Sequence, residues 1–287
     1  MQSPDAGDRS DRYDLHTHSV RSDGHHTPAE VVAMAHEAGL AGLALTDHDT
    51  GAGIAEARAA GDALGVEVIP GIEFSAELDG RSVHVLAYWV DHDEPVLAAE
   101  LARLRDARAD RARRMVEQFN YLDIPITYER VVRIAAGAPV ARPHIAQAVV
   151  EVGACADERE VFDRYLADGG PADVPKHAVH PVRAVELLRG AGGVVVLAHP
   201  ALFGARDGAQ EVPREVVEAM VDAGMAGVEA RHPAHDAGAT ERWTAIADRL
   251  GLVVTAGSDH HGGEREVPVG AAVTDREGVD RLRSRRE

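Results

Sequence analysis

The sequence predicts an α/β fold, a distorted (β/α)7 TIM-like barrel that carries a helical insertion domain. Three observations predict it. Seven short apolar runs rich in β-branched residues recur along the chain. Most lead into helical stretches closed by glycine. The alternation then stops for about eighty residues, which read as helix only. Continuous apolar strands linked by helices indicate a parallel sheet covered by helices on its outer face. Seven of them suit a closed or nearly closed barrel better than an open sheet.

In chain order, the strand-like runs are Tyr13–Leu15, Gly42–Thr46, Val66–Ile69, Val83–Val90, Val194–Ala198, Gly227–Ala230 and Leu252–Ala256. Helices are expected at Pro28–Ala38 before Gly39, Ile54–Leu64 before Gly65, Val182–Arg189 before Gly190 and Arg214–Ala223 before Gly224. Residues Pro95–Leu122 read as one long helix of Arg, Ala and Leu. Shorter helices follow at Tyr128–Ala136, Arg142–Val152 and Asp157–Ala167, and the DREGVDRLRSRRE tail forms a last one. The expected organisation is a disordered tail over 1–12, a barrel from 13–95 and 178–287, and a helical insertion over 96–177.

With 287 residues, 45% of them hydrophobic, the chain can bury one large core with an insertion. No stretch approaches the ~20 apolar residues of a membrane span, and the start lacks the basic-then-apolar layout of a secretory signal. A soluble, cytoplasmic protein without a membrane partner is the expectation. The single cysteine, Cys155, excludes an intramolecular disulfide and a Cys-rich zinc site. A formal charge of -18 argues against a grip on duplex nucleic acid, which needs a basic face. A small anionic substrate remains compatible, because bound cations reverse the local potential. The basic residues are almost all Arg, and Lys176 is the only lysine.

The sixteen histidines matter through their placement. A barrel gathers its strands' carboxyl ends at one mouth, so ligands there converge. The first strand ends in Asp14-Leu15-His16-Thr17-His18, with Asp23 five residues later; in extended chain His16 and His18 point the same way. The second ends in Thr46-Asp47-His48-Asp49-Thr50. The third leads into Pro70-Gly71-Ile72-Glu73, and His84 lies in the fourth. The fifth ends in Ala198-His199-Pro200 and the last in Ser258-Asp259-His260-His261-Gly262. Any one of these reads equally as a polar turn or a capped helix start. Together they read as a metal centre. His25, His26, His36 and His92 are expected to have no chemical role.

These segments resemble the PHP family, named for its polymerase and histidinol phosphatase members. DLHTHS, TDHD, AHP and SDHHG correspond to that family's signature segments, across residues 11–95 and 178–275. The stretch ARPHIAQAVVEVG, followed by VFDRYLADGGPADVPKH, is similar to the inserted lid of small stand-alone members that act on nucleoside 3',5'-bisphosphates, AMP-like monophosphates or RNA 5' ends. The resemblance implies three metal positions: His16, His18, Glu73 and Asp259; Glu73, His84 and His199; and Asp23, His48 and His261. Asp23 stands where some relatives have His, and His260 where Phe is commoner.

Imidazole and carboxylate donors without thiolate suit two or three divalent cations of Mn, Fe or Zn. Such ions, about 3.5–4 Å apart, would share a hydroxide and aim it at phosphorus. Glu73, His199 and Asp259 are the residues expected to hold it, and no side-chain nucleophile is required. Arg142, His144, Lys176 and His235 are the candidates for binding substrate and its non-transferring phosphate, Arg142 through a bidentate guanidinium. Arg231, His232 and His177 stand behind them. The expected function is therefore a metal-dependent phosphoesterase acting on a phosphomonoester of a small nucleotide. Alternatives are 5'-3' trimming of short oligonucleotides, a histidinol-phosphatase-like activity, and a non-catalytic metal-binding structural module. The sequence sets no oligomeric state.

Overall fold

The structure is a computed structural model that describes residues 11–135, 140–167, 169–174, 179–203, 211–263 and 267–286. The chain divides into two compact units, one formed by residues 1–99 with 179–287 and the other by 100–178. The expected tail over 1–12 falls mostly outside the described residues. Strand β1 (Arg12–Thr17) already includes the last residue assigned to that tail.

The first unit is built on an eight-stranded sheet in the order β7-β6-β5-β4-β3-β2-β1-β8. β1, β2 (Gly42–Leu45) and the start of β3 (Glu67–Leu78) run parallel, joined through α1 (Pro28–Glu37) and α2 (Ile54–Leu64). Helix α1 opens on a capping box, in which the Thr27 side chain accepts from Glu30 N–H and Glu30 accepts from Thr27 N–H. β5 (Val194–Leu197), β6 (Gly227–Arg231) and β7 (Val253–Ala256) are again parallel. Between them lie α7 (Pro181–Gly190), which enters β5, then α8 (Arg214–Asp222) and α9 (Ala237–Leu250).

The expectation of an all-parallel sheet is corrected at β4 (Arg81–Tyr88), which is antiparallel to both β3 and β5. No helix separates β3 from β4. Asp79 and Gly80 make a two-residue turn with φ 49° and 80°, the left-handed pair that reverses a right-twisted strand. β3 also continues through Pro70 to Leu78 and does not stop at Ile69. Its length carries Glu73 into the middle of the sheet.

An eighth strand, β8 (Thr274–Asp275), runs antiparallel to β1 and leads into α10 (Arg276–Arg283). The Thr274 hydroxyl accepts from Ala256 N–H at 2.8 Å and donates to Ala256 O at 3.1 Å, tying the end of β7 to this edge. Beyond β7, Asp259 N–H donates to His16 O and His18 N–H donates to His260 O, both at 2.9 Å. The sheet therefore comes nearly full circle at its carboxyl-end rim, as a distorted barrel.

The barrel interior packs Tyr13, Leu15, Ile69, Leu86, Tyr88 and Val196. The outer layer packs Val31, Val32, Leu43, Leu45 and Ile54 between α1, α2 and the sheet. Each large apolar side chain so buried contributes on the order of 1.5–3 kcal/mol, which holds the rim against the cost of crowding charged groups there.

The second unit is helical. It contains most of α3 (Pro95–Tyr121), together with α4 (Tyr128–Ala135), α5 (Arg142–Glu151) and α6 (Glu158–Val161), which runs into a π-helical turn at Phe162–Leu166. Its own core includes Met115, Phe119, Val131, Ile145, Val149 and Leu166. Among the described residues no helix is long and apolar enough to cross a membrane.

Candidate metal centre

The strand ends place their histidines and carboxylates around Glu73. In β1 the alternation turns His16 and His18 to one side, and both are fully buried. His16 Nε2 lies 3.1 Å from Glu73 Oε2 and 3.3 Å from Asp259 Oδ1; His18 Nε2 lies 3.1 Å from both of the same oxygens. His48 Nδ1 is 3.2 Å from Glu73 Oε2. On the other side of the carboxylate, Oε1 lies 2.8 Å from His84 Nδ1 and 3.1 Å from His199 Nε2.

Among the described residues three groups of potential ligand atoms result, each with its atoms within 4.8 Å of one another: His16, His18, Glu73 and Asp259; His48, Glu73 and His84; and His18, Asp23, His48 and His261. The first is the expected set. In the second, His48 stands with Glu73 and His84, while His199 shares Glu73 Oε1. The third is the expected set with His18 added.

Three of the turns that deliver these groups have non-glycine residues with left-handed backbone: Asp49 at φ 53°, His199 at 22° and Asp259 at 54°. Each is braced. Asp49 Oδ1 accepts from Ser75 N–H, His199 N–H donates to Glu229 Oε2, and Asp259 N–H donates to His16 O. Strained backbone held in this way is how a fold fixes functional side chains.

The electrostatics are those of a site that wants cations. Burial disfavours charge on His16, but the carboxylates of Glu229, Glu73 and Asp259 outweigh it and hold its pKa well above the usual imidazole range. For His18, burial is likewise overcome by Asp259 and Glu73, and the pKa is pushed up to about 10. Glu73 and Asp259 resist the upward pull of burial because imidazoles surround them, and both are held well below the carboxylate range. His48 is shifted the other way, by burial first.

Whether these residues fit a metal can be tested on their buried polar atoms. His16 Nε2, both ring nitrogens of His18, His48 Nδ1, Glu73 Oε2 and Asp259 Oδ1 are buried and make no hydrogen bond. Buried polar atoms are otherwise almost always paired. Among the described residues these are six of nine such side-chain atoms, the others being His235 Nε2, Trp243 Nε1 and Thr255 Oγ1; the six belong to the ligand groups and are imidazole nitrogen and carboxylate oxygen, as borderline divalent cations prefer. The residues fit.

A cavity of about 310 Å³ opens on the cluster; its lining includes His48, His84, His199 and His261 together with Val83, Leu202, Phe203 and Val212. His235 is not among its lining residues: its ring is 5.4 Å from that of His232, and its Nδ1 is 3.0 Å from Ala230 O. Arg142 and His144 belong to the helical unit. There Arg142 donates to Leu166 O at 3.2 Å, and His144 Nδ1 accepts from Ala141 N–H at 3.0 Å. Lys176 and His177 lie outside the described residues.

Sequence reasoning assigned no role to Glu229, Asp14 or Asp47. Glu229 is fully buried in β6 and contacts His16 Nδ1 with both oxygens. Asp14 accepts from the backbone N–H of His16, Ser258 and Gly270, and burial still pushes its pKa up to about 6. Asp47 accepts from the Ser19 and Ser22 hydroxyls and pins the loop after β1. Their signal was an acidic residue inside an apolar strand run or beside a ligand motif.

The PHP domain family model matches residues 14–130. The 3',5'-nucleoside bisphosphate phosphatase of Chromobacterium violaceum is 36% identical over 253 residues, 86% of this chain and 86% of that protein. The chain belongs to the PHP family. Another similar protein is the 5'-3' exoribonuclease Rnm of Escherichia coli, 36% identical over 193 residues, which is 67% of this chain and 66% of that one. A solved structure from Bifidobacterium adolescentis, described as that of a metal-dependent phosphoesterase, superposes with a TM-score of 0.84 at 33% identity and covers 96% of each chain. The PHP family model ends within the helical unit, and the strand ends carrying His199, Asp259 and His261 lie beyond it.

Proposed function

We propose that this PHP protein is a metal-dependent phosphoesterase that removes phosphate from a small nucleotide, with a nucleoside 3',5'-bisphosphate or an AMP-like monophosphate as the substrate class. The observation that carries the reading is the set of buried imidazole and carboxylate atoms that make no hydrogen bond and gather around Glu73 beside an open cavity. The residues of the three ligand groups, with His199, would hold two or three divalent cations, of Mn, Fe or Zn. Bound there, the cations supply Lewis acidity and a water of lowered pKa.

The chain's own residues do the rest. Glu73 offers one oxygen to His16, His18 and His48 and the other to His84 and His199, so a single carboxylate ties adjoining ligand groups together. Glu73, His199 and Asp259 are proposed to hold the water that attacks phosphorus. Val83, Leu202, Phe203 and Val212 give the cavity an apolar wall against which the nucleoside part can shed water. His235 is the candidate from this unit for a polar contact to substrate, and Arg142, His144 and Lys176 keep their sequence-based proposal as phosphate-binding groups. A cytoplasmic place of action goes with a nucleotide substrate.

The second reading is trimming of short 5'-phosphorylated oligonucleotides from the 5' end by the same centre. The 36% identity to the Escherichia coli exoribonuclease favours it. The test is phosphate and nucleotide release, with Mn supplied, from pAp, AMP, 5'-phosphorylated dinucleotides and histidinol phosphate, each repeated with His199→Ala. Release from pAp or AMP that the variant loses supports the first reading. Mononucleotide release from the dinucleotides alone supports the second. A metal-loaded protein that cleaves none of them refutes both.

A further inference from the structure

We infer that Glu229 is a positioning residue that sets two ligands of the metal centre at once, the His16 ring through its tautomer and His199 through its backbone. The inference rests on the metal reading above. Glu229 lies in the middle of β6, opposite Thr255 of β7, with no exposure to solvent. A carboxylate at such a place is costly unless its lone pairs are used.

Its oxygens are used, and by donors from two different strand ends. Oε1 and Oε2 lie 3.1 and 3.2 Å from His16 Nδ1, and Oε2 accepts from His199 N–H at 3.1 Å. An anion acceptor at Nδ1 selects the Nδ1–H tautomer of His16. The ring then turns its Nε2 lone pair towards Glu73 and Asp259, and Nε2 makes no hydrogen bond of its own. Imidazole ligands are commonly oriented by a carboxylate on the second ring nitrogen. The bond to His199 N–H braces a residue at φ 22° and ψ 58°, a backbone that histidine does not hold unaided. The two rings end up nearly parallel, with centroids 5.7 Å apart and an interplanar angle of 14°. One buried carboxylate thus registers β1 against the end of β5.

An amide cannot do the same. Glutamine can keep its oxygen at the Oε2 position for His199 N–H, but its NH2 then stands at the Oε1 position, 3.1 Å from His16 Nδ1, as a donor where that nitrogen needs an acceptor. The test compares Mn affinity of metal-stripped wild type and Glu229→Gln by competition with a chelator, with circular dichroism as the check of folding. A folded variant that binds Mn roughly 10- to 100-fold more weakly supports the inference. A folded variant that binds within twofold of wild type overturns it while leaving the metal reading intact. Wild type that takes up no Mn refutes the metal reading and the inference with it. A second measurement needs no variant of Glu229. In zinc-loaded, 15N-histidine-labelled wild type, with His16 assigned through His16→Gln, a protonated Nδ1 beside a metal-bound Nε2 supports the inference. A His16 bound through Nδ1, or bearing no proton there, overturns it.

Discussion

Replacing Gly257 by alanine adds one methyl group at the point where β7 hands the chain to Asp259. A Cβ there would clash with the His16 Cβ and stand 2.7 Å from the His16 backbone nitrogen and 2.8 Å from Glu229 Oε1. Carbon needs about 3.5 Å from such neighbours, so something must move by on the order of 1 Å. The candidates to move are β1 with His16, the turn that bears Asp259, and the buried Glu229. All of them hold the metal centre, and none is the free end of a flexible side chain. Overpacking of this kind costs about 1–3 kcal/mol of stability. The larger effect falls on chemistry, because a misplacement of ~1 Å at a reacting centre can cost about 10²-fold. Gly257→Ala is expected to fold, with a modestly lower Tm, and to lose about 100-fold in kcat/KM for pAp at saturating Mn. The assay is phosphate release beside a calorimetric melt. Activity within threefold of wild type, in a variant shown to hold its metals, would refute the reasoning that the His16–Gly257 contact sets the centre.

Three further outcomes are expected. Chelation of protein kept in Mn at about a thousandfold its Kd removes roughly 4 kcal/mol of linked stability, so Tm should fall by about 7 °C in a thermal melt and recover when Mn is restored. With pKa values raised, His16 and His18 carry protons near pH 7 in the metal-free protein and lose them to a cation. Metal uptake should therefore release about two protons and tighten as pH rises from 6 to 8, read from calorimetry in buffers of different ionisation enthalpy. Arg142→Ala, proposed on sequence grounds to hold a phosphate, should raise KM for pAp about 10- to 100-fold with kcat nearly unchanged, as steady-state kinetics would show.

The metal centre was legible because its ligands sit in short motifs at strand ends, where the barrel's geometry brings distant segments together. His16, His48, His199 and Asp259 are separated by up to hundreds of residues, yet each closes an apolar run of its own. Strand direction was less legible, since an apolar run reads the same either way. Pro70-Gly71 reads as a terminator, and only the Asp79-Gly80 turn signals that β3 continues and returns as β4. Glu229 was missed for a different reason. One acidic residue in a short strand looks like a solvent-facing position, and its role shows only when His16, 213 residues away in sequence, is found against it. His48 shifted from one expected ligand group towards two because its ring faces both Glu73 and Asp23, a tertiary fact that no spacing encodes.

If the cluster around Glu73 holds the divalent cations that make this chain a phosphoesterase, activity must follow metal occupancy. The most direct measurement titrates Mn into metal-stripped protein while phosphate release from pAp and metal content per chain are followed together. The stripped protein should release no phosphate, and activity should rise with bound Mn to a plateau at two or three equivalents. Full activity without metal, or full metal loading with no phosphoester cleaved, would contradict it.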